Sequence, residues 1–210
     1  MKLGIPVYEG VDLLDVAGPY EMFHWVPPSK GLETVILSAD GRPVTSVNGL
    51  RFEAQASFAT TTSLDVLWVP GGDPKSLGKI MSDPASQYLA YLRQVAAGAK
   101  WVCSVCEGAL LLARAGLLDG HKATTHWAFV KCLQRFPEID VDTTHPRFIQ
   151  SGNRLTGGGI SAGLDEALKL IELLFDEATA AEVQVTTQYF PVPPVRGCIP
   201  ERVPDCSVKW

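Results

Sequence analysis

The chain has 210 residues and a formal net charge of −5, with 46% of its residues hydrophobic and 20% charged. That length and apolar content suit one domain with a continuous core. Acids and bases are mixed along the chain, so no basic face is available for nucleic acid or an anionic membrane, and a small or neutral ligand is the expected partner. The start, Met1-Lys2-Leu3-Gly4-Ile5-Pro6, runs straight into a strand-like segment without the basic, apolar and small-residue regions of a secretion signal. Apolar runs such as that at 109–113 stop at Arg114, well short of the ~18 residues a membrane span needs. A cytoplasmic protein is expected. The cysteines, at positions 103, 106, 132, 198 and 206, form no dense framework, and reduced thiols are expected.

In chain order, residues 3–7 form the first expected strand. A helical stretch then begins near Gly18 and runs through Phe23, with Pro19 as a first-turn proline. Residues 34–39 read as a second strand. Residues 43–47 and 50–54, joined by Asn48-Gly49, read as a hairpin, because Asn-Gly supplies the two positive-φ residues of a tight turn. Residues 66–69, stopped by Pro70-Gly71-Gly72, precede a helix from about 84 to 97 that ends at Gly98. Residues 101–105 are the next buried strand, and 108–115 have helical composition with Gly116 as the stop. A second hairpin, 148–151 with 154–156 around Gly152-Asn153, leads through Gly157-Gly158-Gly159 into helices over 161–175 and about 178–185. Short β-rich runs alternating with helical ones predict an α/β fold, a mostly parallel sheet flanked by helices. Residues 1–188 are read as a single domain. The tail, 189–210, carries Pro191, Pro193, Pro194, Pro200 and Pro204, and is expected to be extended and packed on the domain or on a partner subunit.

Ser104-Val105-Cys106-Glu107-Gly108 has the form of a nucleophile elbow: a strand, a reactive residue in a sharp turn, then a helix whose small residues allow close approach. The unpaired N–H groups of the first helical turn are expected to lower the Cys106 thiol pKa and populate the thiolate. Cys103, inside the strand, reads as a structural cysteine. Cys103 and Cys106 also make a C-x-x-C pair. A redox pair would place both sulfurs at the helix start, and a zinc site would need two more ligands, for which Cys198 and Cys206 are poorly spaced. No metal and no cofactor are therefore expected.

The segments Val11-Asp12-Leu13-Leu14-Asp15-Val16-Ala17-Gly18-Pro19, Val69-Pro70-Gly71-Gly72, Ser104 to Gly108, Ala123-Thr124-Thr125-His126-Trp127 and Thr156 to Gly163 occur in the order seen in the DJ-1/PfpI superfamily. The chain resembles that superfamily, and its isonitrile hydratase branch most, over nearly its whole length. The resemblance implies a flavodoxin-like three-layer sandwich, a cytoplasmic homodimer, and a lyase that turns an isocyanide and water into an N-substituted formamide through a covalent thioimidate. Cys106 then matches the catalytic cysteine and Asp15 the catalytic aspartate. Gly71, Gly72, Glu107, His126 and Ile160 fall at positions that bind substrate or stabilise developing charge, with the amides of Gly72 and Glu107 as the oxyanion-type donors. Read as residues alone, Asp15 also suits a helix N-cap ahead of Gly18-Pro19, and His126 a structural histidine beside Trp127. One departure stands out: the hydratase pattern has threonine after the cysteine, where this chain has Glu107. Glu107 either faces the thiol or points away from it. The alternatives on the same fold are a glyoxalase-like or hydrolytic cysteine enzyme and a non-catalytic ligand or redox sensor.

Overall fold

The computed structural model describes residues 1–210. Its strands are β1 (Lys2–Pro6), β2 (Glu33–Ser38), β3 (Val44–Thr45), β4 (Arg51–Phe52), β5 (Ala56–Ser57), β6 (Val66–Val69), β7 (Trp101–Ser104), β8 (Lys122–Ala123), β9 (Asp140–Val141), β10 (Phe148–Ser151) and β11 (Arg154–Gly157). Its α-helices are α1 (Leu13–His24), α2 (Pro74–Ser82), α3 (Gln87–Ala96), α4 (Gly108–Arg114), α5 (Val130–Leu133), α6 (Ala162–Leu174) and α7 (Glu177–Thr186). Seven strands form one sheet in the order β10-β11-β7-β6-β1-β2-β5, parallel except for β10 against β11. On one face α1 packs on α6 and α6 on α7, and on the other α4 packs on α2, α3 and α5. The three-layer α/β architecture expected from the sequence is the one observed.

The central strands are covered on both sides, so they carry continuous apolar runs rather than alternation. Leu3, Ile5, Val66, Leu67, Trp68, Val69 and Val102 are all fully buried. The hairpin expected at Asn48-Gly49 forms between β3 and β4, with Val44 opposite Phe52 and Gly49 at φ 87°. The main strands and four of the helices fall within a few residues of their expected places.

Three expectations need correction. The first helix starts at Leu13, capped by Asp12, whose carboxylate accepts the Leu14 N–H, so Pro19 lies inside the helix and Asp15 is not the cap. Pro19 has no N–H for the carbonyl four residues back, that of Asp15, which would normally break the helix. The Trp68 indole N–H, from the buried strand β6, donates to the Asp15 carbonyl at 3.1 Å and replaces the lost bond. The second correction is α2, which the sequence reading passed over although Asp73 caps it and Pro74 occupies its first turn. The third concerns the thiols: Cys132 and Cys206, 74 residues apart, form a disulfide, leaving Cys103, Cys106 and Cys198 free. The tail brings Cys206 to α5 by returning across the domain. It carries no helix or strand, but Val208 is buried, Trp210 stacks on Phe136, and the Arg135 guanidinium lies 5.0 Å from the Trp210 ring. No helix is long and apolar enough to cross a membrane.

Candidate active site

β7 ends at Ser104, and the chain must reverse within three residues to start α4. Cys106 makes that turn in the left-handed region at φ 57°, a conformation that strains a residue with a Cβ. Three bonds over-determine it. The Cys106 N–H donates to Gly158 O at 2.8 Å, the Thr125 hydroxyl donates to Cys106 O at 2.7 Å, and the Val105 N–H donates to Val69 O at 3.1 Å. Gly108 completes the elbow, because a Cβ there would collide with the Val69 carbonyl. The thiol is therefore held at the carboxyl ends of β6 and β7, where open α/β sheets place their ligands.

The Cys106 sulfur and the carboxyl oxygens of Asp15 and Glu107 lie within 4.8 Å of one another, and all three residues are buried. Glu107 thus faces the thiol. Asp15 Oδ2 accepts the Gly71 N–H at 2.8 Å, while Oδ1 is buried without a hydrogen-bond partner. Burial is the largest influence on each group. It pushes the Asp15 carboxyl well above the usual range, reinforced by the charges of Asp12 and Glu107 and opposed by the Gly71 N–H and the Cys106 thiol. Glu107 is raised by burial and held back by Cys106 and by the N–H groups of Glu107 and Gly72. Cys106 is raised well above an ordinary thiol by burial, then by the two carboxyls, and is lowered by the Ile160 N–H. The expected fall in thiol pKa is therefore reversed: desolvation and two facing acids outweigh the first turn of the short helix α4. Burial therefore favours the protonated form of all three groups. The N–H groups of Gly72 and Glu107 favour the charged form of the Glu107 carboxyl, and the Ile160 N–H does the same for the Cys106 thiolate. Ile160 reaches that position with φ 37°, a second strained residue at the site.

His126 is partly buried beyond the turn, at the wall of a cavity of about 330 Å³ shared with Thr125, Trp127, His145, Ile160 and Ile199. It is not among the groups that shift the thiol. Its Nδ1 accepts the Ala128 N–H at 3.2 Å, and burial lowers its pKa, which keeps the ring neutral near pH 7. The structure also shows residues that the sequence reading missed. Tyr8, just past β1, donates to Pro70 O at 3.3 Å beside the acid cluster, and its phenol is raised by burial and by Tyr88, Glu107, Asp15 and Cys106. Thr125 anchors the elbow carbonyl, and the motif Thr124-Thr125-His126 could have signalled it. Glu166 on α6 is fully buried with neither carboxyl oxygen bonded. Its helical spacing, four residues after Ala162 and four before Leu170, puts it on the buried stripe of α6 and could have signalled it.

A strained cysteine at the carboxyl end of a parallel sheet, facing two buried acids, defines a thiol-centred α/β protein. The chain belongs to the DJ-1/PfpI family, whose model matches residues 1–173. It is 38% identical over 208 residues to an isonitrile hydratase of Pseudomonas putida, covering 99% of this chain and 87% of that protein. It is 30% identical over 174 residues to the HTH-type transcriptional regulator GbdR of Pseudomonas aeruginosa, covering 81% of this chain and 46% of the regulator. Among solved structures, a ThiJ/PfpI family protein from Pseudomonas syringae superposes with a TM-score of 0.83 at 36% identity, over 92% of this chain and 77% of that one. Oxidized DJ-1 of Toxoplasma gondii has a TM-score of 0.74 at 23% identity, over 90% of this chain and 99% of the other, a likeness of fold alone.

Proposed function

We propose that the protein is an isonitrile hydratase in which Cys106 is the nucleophile and Asp15 and Glu107 manage the protons, without metal or cofactor. The observation that carries this reading is the thiol facing two buried carboxyls, in a chain 38% identical to a hydratase over nearly its full length. In the first step the Cys106 sulfur bonds to the terminal isocyanide carbon. A carboxyl group delivers its proton to that carbon, and the thiol proton replaces it on the cluster, giving the thioimidate R–N=CH–S. The thiol need not ionise in advance, so its raised pKa is compatible with attack. In the second step water adds to the imidate carbon, passing one proton through Asp15 to the nitrogen. The resulting R–NH–CH(OH)–S species then collapses: the C–S bond breaks, the hydroxyl proton returns to the sulfur through the cluster, and R–NH–CHO leaves. One isocyanide and one water are consumed, and the thiol is restored. Homodimerisation belongs to this reading as well.

Formation of N-cyclohexylformamide from cyclohexyl isocyanide by the purified protein tests the proposal, and turnover that persists in Cys106→Ala removes the nucleophile. A second reading, ligand or redox sensing, is favoured by the similarity to transcriptional regulators. Stoichiometric oxidation of Cys106 by peroxide, with no turnover of any electrophile, would support it instead.

A further inference from the structure

The cavity beside the elbow is walled by groups that also hold Cys106: Thr125 bonds its carbonyl, Gly158 accepts its N–H, and the Ile160 N–H faces its sulfur. Cys106, Asp15 and Glu107 do not line the cavity themselves; it adjoins the elbow through these neighbours. About 330 Å³ is at the lower end of ligand pockets, so the occupant is small. Trp127, Ile160 and Ile199 supply apolar wall, and two imidazoles interrupt it. His126 Nδ1 is occupied by the Ala128 N–H, which puts the neutral ring's proton on Nε2, and that nitrogen has no protein partner. His145 turns its backbone to φ 58° at the same wall, and its buried Nδ1 is also without a partner. The one guanidinium in the wall is not free. Arg147 is paired with Asp165, and two further N–H bonds go to Ser161 Oγ and Ser161 O. The cavity therefore offers imidazole hydrogen-bonding groups, and its guanidinium is compensated by Asp165.

We infer that this cavity takes the part of a substrate that projects from the reacting carbon, and is a specificity site for uncharged isonitriles whose R group carries a hydrogen-bond acceptor, such as an ester or carbonyl, read by His126 Nε2–H and His145. This rests on the hydratase reading for the substrate's reactive end, but the cavity's preference can be measured without turnover. The acceptor satisfies donors that a cyclohexyl group would leave unpaired in a partly buried wall, and one such bond is worth about three- to tenfold in affinity.

The test measures protection of Cys106 from iodoacetamide by three unreactive formamides: methyl N-formylglycinate, N-cyclohexylformamide and N-formylglycine. Turnover of methyl isocyanoacetate and cyclohexyl isocyanide is followed in parallel. The inference expects the ester to protect at least about threefold more tightly than the cyclohexyl compound, with that ratio falling toward one in His126→Phe and in His145→Leu. Equal protection, a ratio unmoved in both variants, or tighter protection by the carboxylate would overturn it. Ester-selective protection without turnover of either isonitrile would sink the hydratase reading and leave the specificity site standing. Turnover of both isonitriles without ester preference would do the reverse.

Discussion

Asp15 and Glu166 are two carboxyl groups removed from water on packed neighbouring helices, α1 and α6, and both are fully buried. Burial raises both pKa values, and for Glu166 the charge of Asp15 adds to the effect. Their surroundings differ. Asp15 accepts the Gly71 N–H and faces a thiol and a second acid, whereas Glu166 has no hydrogen-bond partner and lies against the backbone of Gly157, where a Cβ would collide with it. The comparison separates two things that a shifted pKa merges. Desolvation makes a carboxyl hold its proton, but only a facing donor and a facing acceptor give that proton somewhere to go.

Four measurements test that separation. The largest effect is expected for Asp15→Asn, which keeps the shape and removes the exchangeable proton. kcat/KM should fall by about 10²–10⁴-fold, while Glu166→Gln stays within a few-fold of the parent. Equal losses in the two variants would erase the distinction. Trp68→Phe should lower stability by about 2–3 kcal/mol in denaturant melts, because the Asp15 carbonyl that Pro19 leaves free loses its indole donor. An unchanged melt would show that another group takes over.

Glu166→Leu should instead stabilise the protein by about 1–2 kcal/mol at pH 8, since it removes a buried acid that nothing satisfies. The sign follows from the raised folded pKa. Above the unfolded carboxyl value of roughly 4.3, the unfolded chain gives up a proton that the folded chain retains, so the wild type loses stability as pH rises toward the folded value. The gain from leucine should therefore grow between pH 4 and pH 8. A gain that is flat with pH would mean that Glu166 titrates normally. The smallest effect is at the open position of the family pattern: Glu107→Gln removes one acid facing the sulfur, so Cys106 should alkylate about threefold faster at pH 7 and reach its plateau at lower pH.

The layers, the main strands along the chain and the elbow were legible in the sequence because each depends on local signals: apolar runs of strand length, Asn-Gly and Gly-Gly turns, and small residues after Cys106. Pro19 was misread because a proline inside a helix and a proline opening one look alike until the donor that replaces its N–H is known, and Trp68 is far away in sequence. Helix α2 was missed although Asp73-Pro74 is a legible start, because its buried residues Leu77, Gly78 and Met81 make a thin apolar stripe. Pairing of Cys132 with Cys206 depends on where the tail returns, a tertiary fact. The direction of the thiol pKa was misjudged for the same reason: a helix start is visible in sequence, but the depth of burial and the turn of Glu107 toward the sulfur are not.

Cys106 occupies backbone space that suits glycine, and the hydrogen bonds around it hold a side chain where one is disfavoured. The fold should therefore tolerate the loss of its nucleophile better than its presence. Cys106→Gly should melt no lower than the parent, whereas Cys106→Ala keeps the conformational cost and discards the sulfur. In this protein, selection for thermal robustness alone would erode the reactive position first, and a sequence that has drifted to glycine there would record relaxed demand for chemistry rather than damage to the fold.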